Sequence, residues 1–103
     1  MNDKKDIRKS PHSIEAEKAV LGCMLLNKEA VSKAIQLLNK DSFYDYAHQI
    51  IFESIIELSS NQQTIDNITI IDYLSKNDNL KKVGDSYYIT GLTEQSPSTH
   101  NVE

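Results

Sequence analysis

The residues that could perform chemistry in this chain are three histidines, one cysteine and two pairs of neighbouring acidic residues. His12, His48 and His100 lie far apart, and there is no second cysteine, so the spacing typical of a metal site is missing. Cys23 falls on the apolar face of a predicted helix, where a small buried side chain is a better interpretation than a nucleophile. The sequence therefore predicts neither a metal site nor a reactive thiol.

The two acidic pairs are each one helical turn apart, Asp41 with Asp45 and Glu53 with Glu57. Such pairs could act as general acid and base, because two carboxyl groups can be held at different protonation states. A helix cap and a solvent-facing line of charges explain them more simply. The three glycines are isolated, so the chain has no phosphate-binding loop. We expect no catalytic, cofactor-binding or metal-binding residue in this chain.

Length and composition indicate one ordinary globular domain. The chain has 103 residues, of which 39% are hydrophobic and 25% charged. A single cysteine permits no intramolecular disulfide, which favours a reducing compartment. No apolar run approaches the roughly 20 residues that span a bilayer, and residues 1–10 lack the apolar segment of a signal peptide. We expect a soluble, cytoplasmic protein with no membrane partner.

The charge is unevenly distributed. Residues 1–10 carry a net charge of +2, and the total of -4 then leaves -6 on residues 11–103. The acidic part contains no arginine, the side chain best shaped to bind phosphate. Proteins that hold nucleic acid by its backbone present a basic face. The charge therefore favours protein partners and predicts weak or no direct nucleic-acid binding.

Apolar residues recur at helical spacing along the chain, beginning behind Ser13, a good N-cap. Asn27 is predicted to end this first helix and to cap the second. Residues 41–44 predict a capped turn that directs the aromatic pair Phe43-Tyr44 inward, and residues 47–58 predict the central helix of the core. Residues 65–74 have both strand propensity and helical spacing, and capping by Asp66 or Asn67 favours helix.

The last part of the pattern predicts a helical turn over residues 78–83, stopped at Gly84 in a left-handed conformation. A further helix begins at Asp85 or Ser86 and runs through Leu92. The predicted fold class is all-α, a compact orthogonal bundle of about six helices, some of them short. Residues 1–10 are expected to be a disordered arm, residues 11–97 the helical domain, and residues 98–103 the start of another helix, cut within a longer protein.

Two adjacent tyrosines, Tyr87 and Tyr88, form the one candidate binding site. Neighbouring helical positions point about 100° apart, so both rings cannot face one core. Tyr88 continues towards Leu92 as a buried stripe, whereas Tyr87 is on the side of Gly91 and is expected to be exposed. Exposed aromatic residues are enriched at interfaces. A partly covered tyrosine without a special role is the alternative interpretation.

Several motifs follow one another along the chain: Pro11 to Gly22, Met24–Leu26, Phe43-Tyr44, His48–Phe52, Ile55–Leu58, Ile65-Asp66, Thr69-Ile70, Leu80 to Gly84 with Tyr88, and Pro97-Ser98 to Asn101-Val102. In these motifs and their order the chain resembles a known family, the N-terminal domain of the bacterial replicative DNA helicase of the DnaB type. Two positions depart from the family pattern. Asp85 stands where a second glycine is common, and Ser54 where a small alanine is common.

The resemblance implies a non-catalytic helical head that packs with copies of itself in a hexameric collar and docks primase and the helicase loader. It also implies a parent protein that continues into a helical hairpin and a motor, where ATP and magnesium would bind and drive 5′ to 3′ movement on DNA. Two alternatives remain open from the residues. One is a helix-turn-helix DNA-binding regulator, which the acidic charge disfavours. The other is the related helical C-terminal domain of primase.

Overall fold

The computed structural model describes residues 13–94, which form five α-helices and two 3₁₀ turns. The α-helices are α1 (Ile14–Leu26), α2 (Lys28–Leu37), α3 (Tyr46–Ser60), α4 (Asn67–Lys76) and α5 (Asp85–Glu94), with 3₁₀ turns at Lys40–Ser42 and Lys81–Val83. Residues 13–94 contain no strand, which confirms the all-α fold class. The predicted arm over residues 1–10 and the predicted helix over residues 98–103 lie outside the described residues.

The predicted caps at the start of the chain are confirmed. The Ser13 hydroxyl accepts a hydrogen bond from the Ala16 amide at 3.1 Å and begins α1. Asn27 separates the first two helices, because its own amide donates to the Cys23 carbonyl while its side chain accepts from the Glu29 amide at 2.8 Å. One residue thus satisfies groups at the end of α1 and at the beginning of α2.

The ambiguous segment over residues 65–74 is helical from Asn67 onwards, as the sequence favoured. Asp66 and Thr69 form a capping box, in which the Asp66 carboxylate accepts from the Thr69 amide at 2.9 Å and the Thr69 hydroxyl accepts from the Asp66 amide at 3.0 Å. The box satisfies two amides that would lack partners at a helix start. Local capping and burial of Ile70 and Leu74 on one face outweigh the strand propensity of the β-branched residues.

α3 runs through the centre of the core, as predicted. Ile51, Phe52 and Ile55 are completely buried, and the ring of Phe52 lies 4.9 Å from that of Phe43, measured between centroids. The prediction that Phe43 and Tyr44 both point inward is wrong for Tyr44, which is 61% exposed. The backbone at Phe43 is extended, and successive side chains of an extended chain point to opposite sides.

The chain enters α5 through two consecutive left-handed residues. Gly84 has φ +102° and ends the second 3₁₀ turn, which confirms the predicted stop. A Cβ added at Gly84 would lie 2.8 Å from the Cβ of Tyr88, so glycine is required both for its φ and for space. Asp85 follows with φ +72°, a conformation that glycine adopts without steric cost. The second glycine that the resemblance leads us to expect at this position would fit the geometry of the turn.

Whether α1 to α5 could cross a membrane depends on their length and hydropathy. None of the helices within residues 13–94 combines the length and the apolar character needed to cross a membrane.

Candidate functional site

Among residues 13–94, two charged or titratable side chains lie inside the helical core. Glu17 on α1 is 7% exposed and His48 on α3 is 0% exposed. The third buried polar residue, Ser54, is satisfied within its own helix, because its hydroxyl donates to the Ile50 carbonyl at 2.8 Å. A buried carboxylate and a buried imidazole are costly unless they are hydrogen-bonded, so their partners define the site.

Glu17 acts as a cap for a helix other than its own. One carboxylate oxygen accepts a hydrogen bond from the Tyr44 amide at 2.7 Å, and the other accepts from the Asp45 amide at 3.3 Å. These amides precede α3, whose positive dipole end favours a negative charge. Asp45 completes the arrangement, since its own carboxylate accepts from the Ala47 amide at 2.8 Å. The start of α3 is thereby fixed against α1.

His48 connects this carboxylate to the last helix. Its Nδ1 lies 2.8 Å from Oε1 of Glu17, and its Nε2 lies 2.6 Å from the hydroxyl oxygen of Tyr88 on α5. A carboxylate can only accept, so Nδ1–H donates to Glu17. In the neutral ring Nε2 then accepts from the Tyr88 hydroxyl. We call this set of Glu17, His48 and Tyr88 the polar triad.

The third member of the triad, Tyr88, is half-buried and stacks on the imidazole, with ring centroids 5.9 Å apart and planes inclined by 19°. Burial raises the pKa of the Tyr88 hydroxyl, and the negative charges of Asp45, Glu15 and Glu17 raise this pKa further. A raised pKa keeps the hydroxyl protonated and able to donate to His48. The raised pKa of the Tyr88 hydroxyl is therefore consistent with its role as the donor to Nε2 of His48.

The triad links helices but lacks the parts of a catalytic site. A histidine oriented by a carboxylate is the usual base for a nucleophile, but Nε2 here faces a tyrosine whose hydroxyl is itself held by the ring. His48 is fully buried, so a substrate has no access to it. The triad joins α1, α3 and α5. Glu17 and His48 are 31 residues apart in the sequence, and His48 and Tyr88 are 40 residues apart.

The other candidates from the sequence do not come together. Asp45 is a helix cap and Asp41 is exposed in the first 3₁₀ turn. Glu53 and Glu57 are exposed on α3, and Cys23 is half-buried in α1. Within residues 13–94, no group of three or more His, Cys, Asp or Glu side chains could hold a metal ion. His12 and His100 lie outside the described residues.

The tyrosine pair has the exposure that the helical spacing predicts. Tyr87 is 87% exposed, whereas Tyr88 is half-buried and bonded to His48. Both rings, together with Lys18 and Gly91, line a groove of about 260 Å³ between α5 and α1. Of the two, Tyr87 is the side chain available to another molecule, and its role in binding stays a prediction.

The role of Glu17 was not predicted from the sequence, although one signal was present. Glu17 precedes the buried residues Leu21 and Met24 by four and seven positions, which places it on the buried side of α1. Glu17 also lies in the first turn of α1, where a negative charge is favoured by the positive end of the helix dipole. This local effect was a sufficient explanation for an acidic residue at that position. No local pattern relates Glu17 to His48 or Tyr88.

The chain is similar to known proteins in both sequence and structure. Residues 9–103 match the family model described as DnaB-like helicase N terminal domain. The chain is 44% identical over 93 residues to the replicative DNA helicase DnaB of Treponema pallidum, covering 90% of this chain and 21% of that protein. It is 38% identical over 96 residues to the replicative DNA helicase DnaB of Rhodothermus marinus, covering 93% of this chain and 10% of that protein.

A solved structure agrees with the sequence relatives. The crystal structure of the N-terminal domain of DnaB helicase from Mycobacterium tuberculosis matches with a TM-score of 0.82 and 31% sequence identity, covering 84% of this chain and 63% of that chain. The chain spans only 21% and 10% of the lengths of the Treponema and Rhodothermus relatives. The similarity therefore concerns the N-terminal part of much longer proteins.

Proposed function

The chain belongs to the family of DnaB-like helicase N-terminal domains, and from this premise we propose that it is a non-catalytic assembly and docking module of a replicative DNA helicase. It packs against copies of itself in a collar and binds primase and the helicase loader. The observation that carries the proposal is the family match over residues 9–103. This match removes the reason for considering a helix-turn-helix regulator or a primase domain.

The contacts of the described residues support a role without bond chemistry. The polar groups in the core are used to hold helices together, since both Glu17 and His48 are bonded to other helices. An exposed aromatic side chain, Tyr87, lies beside them on α5. The acidic charge of residues 11–103 disfavours DNA as the main ligand and suits binding between proteins.

The activity of the parent protein is part of the same proposal. The relatives are named replicative DNA helicases and extend far beyond the region that this chain covers. We infer that ATP and magnesium bind in a motor domain of such a parent, and that this chain contributes no cofactor ligand. A replication protein of this kind would work in the cytoplasm.

Docking is tested by an NMR titration of the isotope-labelled chain with the C-terminal domain of the cognate primase. We expect amide shifts confined to the surface around Tyr87 and Tyr88, and we expect Tyr87→Ala to reduce them. The matched control is Ile68→Ala on α4, because Ile68 is also a large exposed apolar side chain. Tyr88 is unsuitable for truncation, since its hydroxyl holds His48. No shifts at millimolar primase domain would refute docking by this chain.

Self-association is tested separately by sedimentation equilibrium of the same chain. We expect an average mass that rises with protein concentration. A mass that stays at the monomer value up to millimolar concentration would refute self-assembly through this domain and leave the docking proposal intact.

A further inference from the structure

Gly91 lies in the interior of α5, where a glycine lowers the stability of a helix relative to alanine. A Cβ added at Gly91 would meet no atom of the described residues within 4 Å. The position is helical, so a left-handed φ does not explain the glycine as it does at Gly84. Neither backbone conformation nor close packing within residues 13–94 therefore requires a glycine here, and the position is an opening in the surface of α5.

The opening lies on a side of α5 that also carries an exposed aromatic ring. Tyr87, Thr90, Gly91 and Glu94 are spaced at intervals of three or four residues, so they share one side of the helix. We call this side the α5 face. All four residues line the groove of about 260 Å³ between α5 and α1. Tyr87 is 87% exposed, more than any other large hydrophobic side chain among residues 13–94. The α5 face thus has a projecting ring one helical turn before an opening.

The charge of this surface suits a second copy of the chain. Residues 11–103 carry a net charge of -6, so two copies repel each other over most of their surfaces. The groove beside α5 is lined by one lysine and one glutamate, Lys18 and Glu94, whose charges cancel. A groove between α3 and α4 is lined instead by Glu53 and Glu57, with no lysine or arginine among its described lining residues. Two copies therefore approach with less repulsion through the α5 face than through that acidic groove.

A two-fold axis makes the ring and the opening complementary. In a symmetric dimer, a contact of residue i with residue j is repeated as a contact of j with i. When the Tyr87 ring of one copy enters the opening at Gly91 of a second copy, the second ring enters the first opening. Because these are different positions on one helix, the two α5 helices run antiparallel. Glycine admits the close approach, and tyrosine supplies a large contact area at a low entropic cost.

We propose that two copies of the chain pair through their α5 faces, antiparallel, with the Tyr87 ring of each copy seated at Gly91 of the other. This inference rests on the self-association in the proposed function and names the surface responsible. The ten residues of α5 span about 15 Å, so the pair buries less than the roughly 1,600 Å² of a standard stable interface. The pairing is therefore weak in dilute solution, and it strengthens where copies are held together at a high effective concentration.

Pairing and docking then depend on the same ring. Tyr87 is also the side chain through which we propose that primase docks. A copy whose Tyr87 is seated at Gly91 of a second copy cannot present that ring to primase. The two contacts exclude each other, so primase bound at the α5 face separates the pair.

The direct test is an NMR experiment on a mixture of isotope-labelled and unlabelled chain, at a concentration where sedimentation shows association. NOEs between the two kinds of molecule should join the ring protons of Tyr87 to the Hα protons of Gly91. NOEs from Tyr87 to Tyr87 without those to Gly91 would indicate a parallel arrangement and overturn the proposal. Intermolecular NOEs confined to another surface would overturn it as well.

Gly91→Ala separates this interface from the fold, because its two expected effects have opposite signs. The added methyl stabilises the helix, but it occupies the opening, so the Kd of pairing should rise by about tenfold or more. Tyr87→Ala should also weaken pairing, whereas Tyr87→Phe keeps the ring and should retain it. The matched control is Ser75→Ala, at an exposed helical position on α4, which should leave the Kd of pairing unchanged.

Sedimentation equilibrium of these variants distinguishes the ways in which the proposal can fail. If Gly91→Ala and Tyr87→Ala associate as strongly as wild type, pairing through the α5 face is overturned, while self-assembly of the domain stands. An equal loss of association in Ser75→Ala would show a nonspecific effect and overturn the pairing. A wild-type chain that stays monomeric up to millimolar concentration would overturn both the pairing and self-assembly, and would leave the docking of primase intact.

Discussion

Replacing Tyr88 by phenylalanine removes a single oxygen atom and leaves a fully buried nitrogen without its hydrogen-bond partner. The Tyr88 hydroxyl lies 2.6 Å from Nε2 of His48, whose side chain is 0% exposed. The ring of Tyr88 keeps its packing in the variant, because phenylalanine has the same shape. The substitution therefore isolates the hydrogen bond between α3 and α5 from the apolar contacts around it.

The expected loss follows from the desolvation of the orphaned group. A buried donor or acceptor that loses its partner costs about 1–3 kcal/mol. For a domain of this size, each 1 kcal/mol lowers Tm by about 4–8 °C. Tyr87→Phe is the matched control, since it removes the same atom from a neighbouring ring that is 87% exposed. We expect the control to change the free energy of unfolding by no more than about 0.5 kcal/mol.

The assay is urea unfolding followed by far-UV circular dichroism, which suits a chain without tryptophan. Wild type, Tyr88→Phe and Tyr87→Phe should unfold with the same dependence on urea, so that differences in midpoint report differences in stability. Equal midpoints for the two variants would refute the reasoning. They would mean that the hydrogen bond to His48 contributes nothing measurable to the fold.

The pH dependence of stability tests the same group in another way. The pKa of Tyr88 is raised above its usual 10.0, chiefly by burial. Above pH 10 the unfolded chain loses this proton while the folded chain keeps it, so the contribution to stability is present below pH 10 and is lost as the pH rises through the folded pKa. We expect wild type to lose more stability than Tyr88→Phe between neutral pH and pH above 10. Parallel losses would contradict the assignment.

Two further pairs of substitutions test the fold, both by the same unfolding assay. Gly84→Ala should lower the free energy of unfolding by about 1–3 kcal/mol, because φ is +102° and the new methyl would meet Tyr88. Gly91→Ala should raise it by about 0.5–1 kcal/mol, since a helical Cβ there meets nothing within 4 Å. A loss at Gly91 equal to that at Gly84 would contradict this explanation. Glu17→Ala should cost about 3 kcal/mol or more, because two amides and His48 lose their acceptor. Glu15→Ala, on the exposed side of the same turn, should change stability by less than about 0.5 kcal/mol, and a cost comparable to that of Glu17→Ala would argue against a specific role for Glu17.

Most of the fold could be predicted from the sequence, because the interactions that begin and end the helices join residues close together in the sequence. Ser13, Asn27 and Asp66 cap helices through atoms two or three residues away, and Gly84 ends a turn through its own φ. Apolar spacing then indicates which side of each helix is buried. The inward direction assigned to Tyr44 failed because no helical periodicity applies to the extended link before α3.

The polar triad could not be predicted, because it depends on which helices become neighbours. Glu17 and His48 are 31 residues apart, and His48 and Tyr88 are 40 apart. Periodicity reports the buried side of one helix and carries no information about the helix that packs against it. Each member also had an adequate local explanation, as a first-turn charge, an isolated histidine and the start of a buried stripe.

The order of the triad along the chain has a consequence for protein synthesis. During translation Glu17 is synthesised first, His48 second and Tyr88 last. A growing chain that has released α1 and α3 can form the bond between Glu17 and His48, but Nε2 still has only water as a partner. The closing bond comes from the final described helix, since Tyr88 lies in α5. A nascent chain that ends before residue 88 would keep its central imidazole hydrated, so α1, α3 and α5 become joined through the triad only when α5 has emerged.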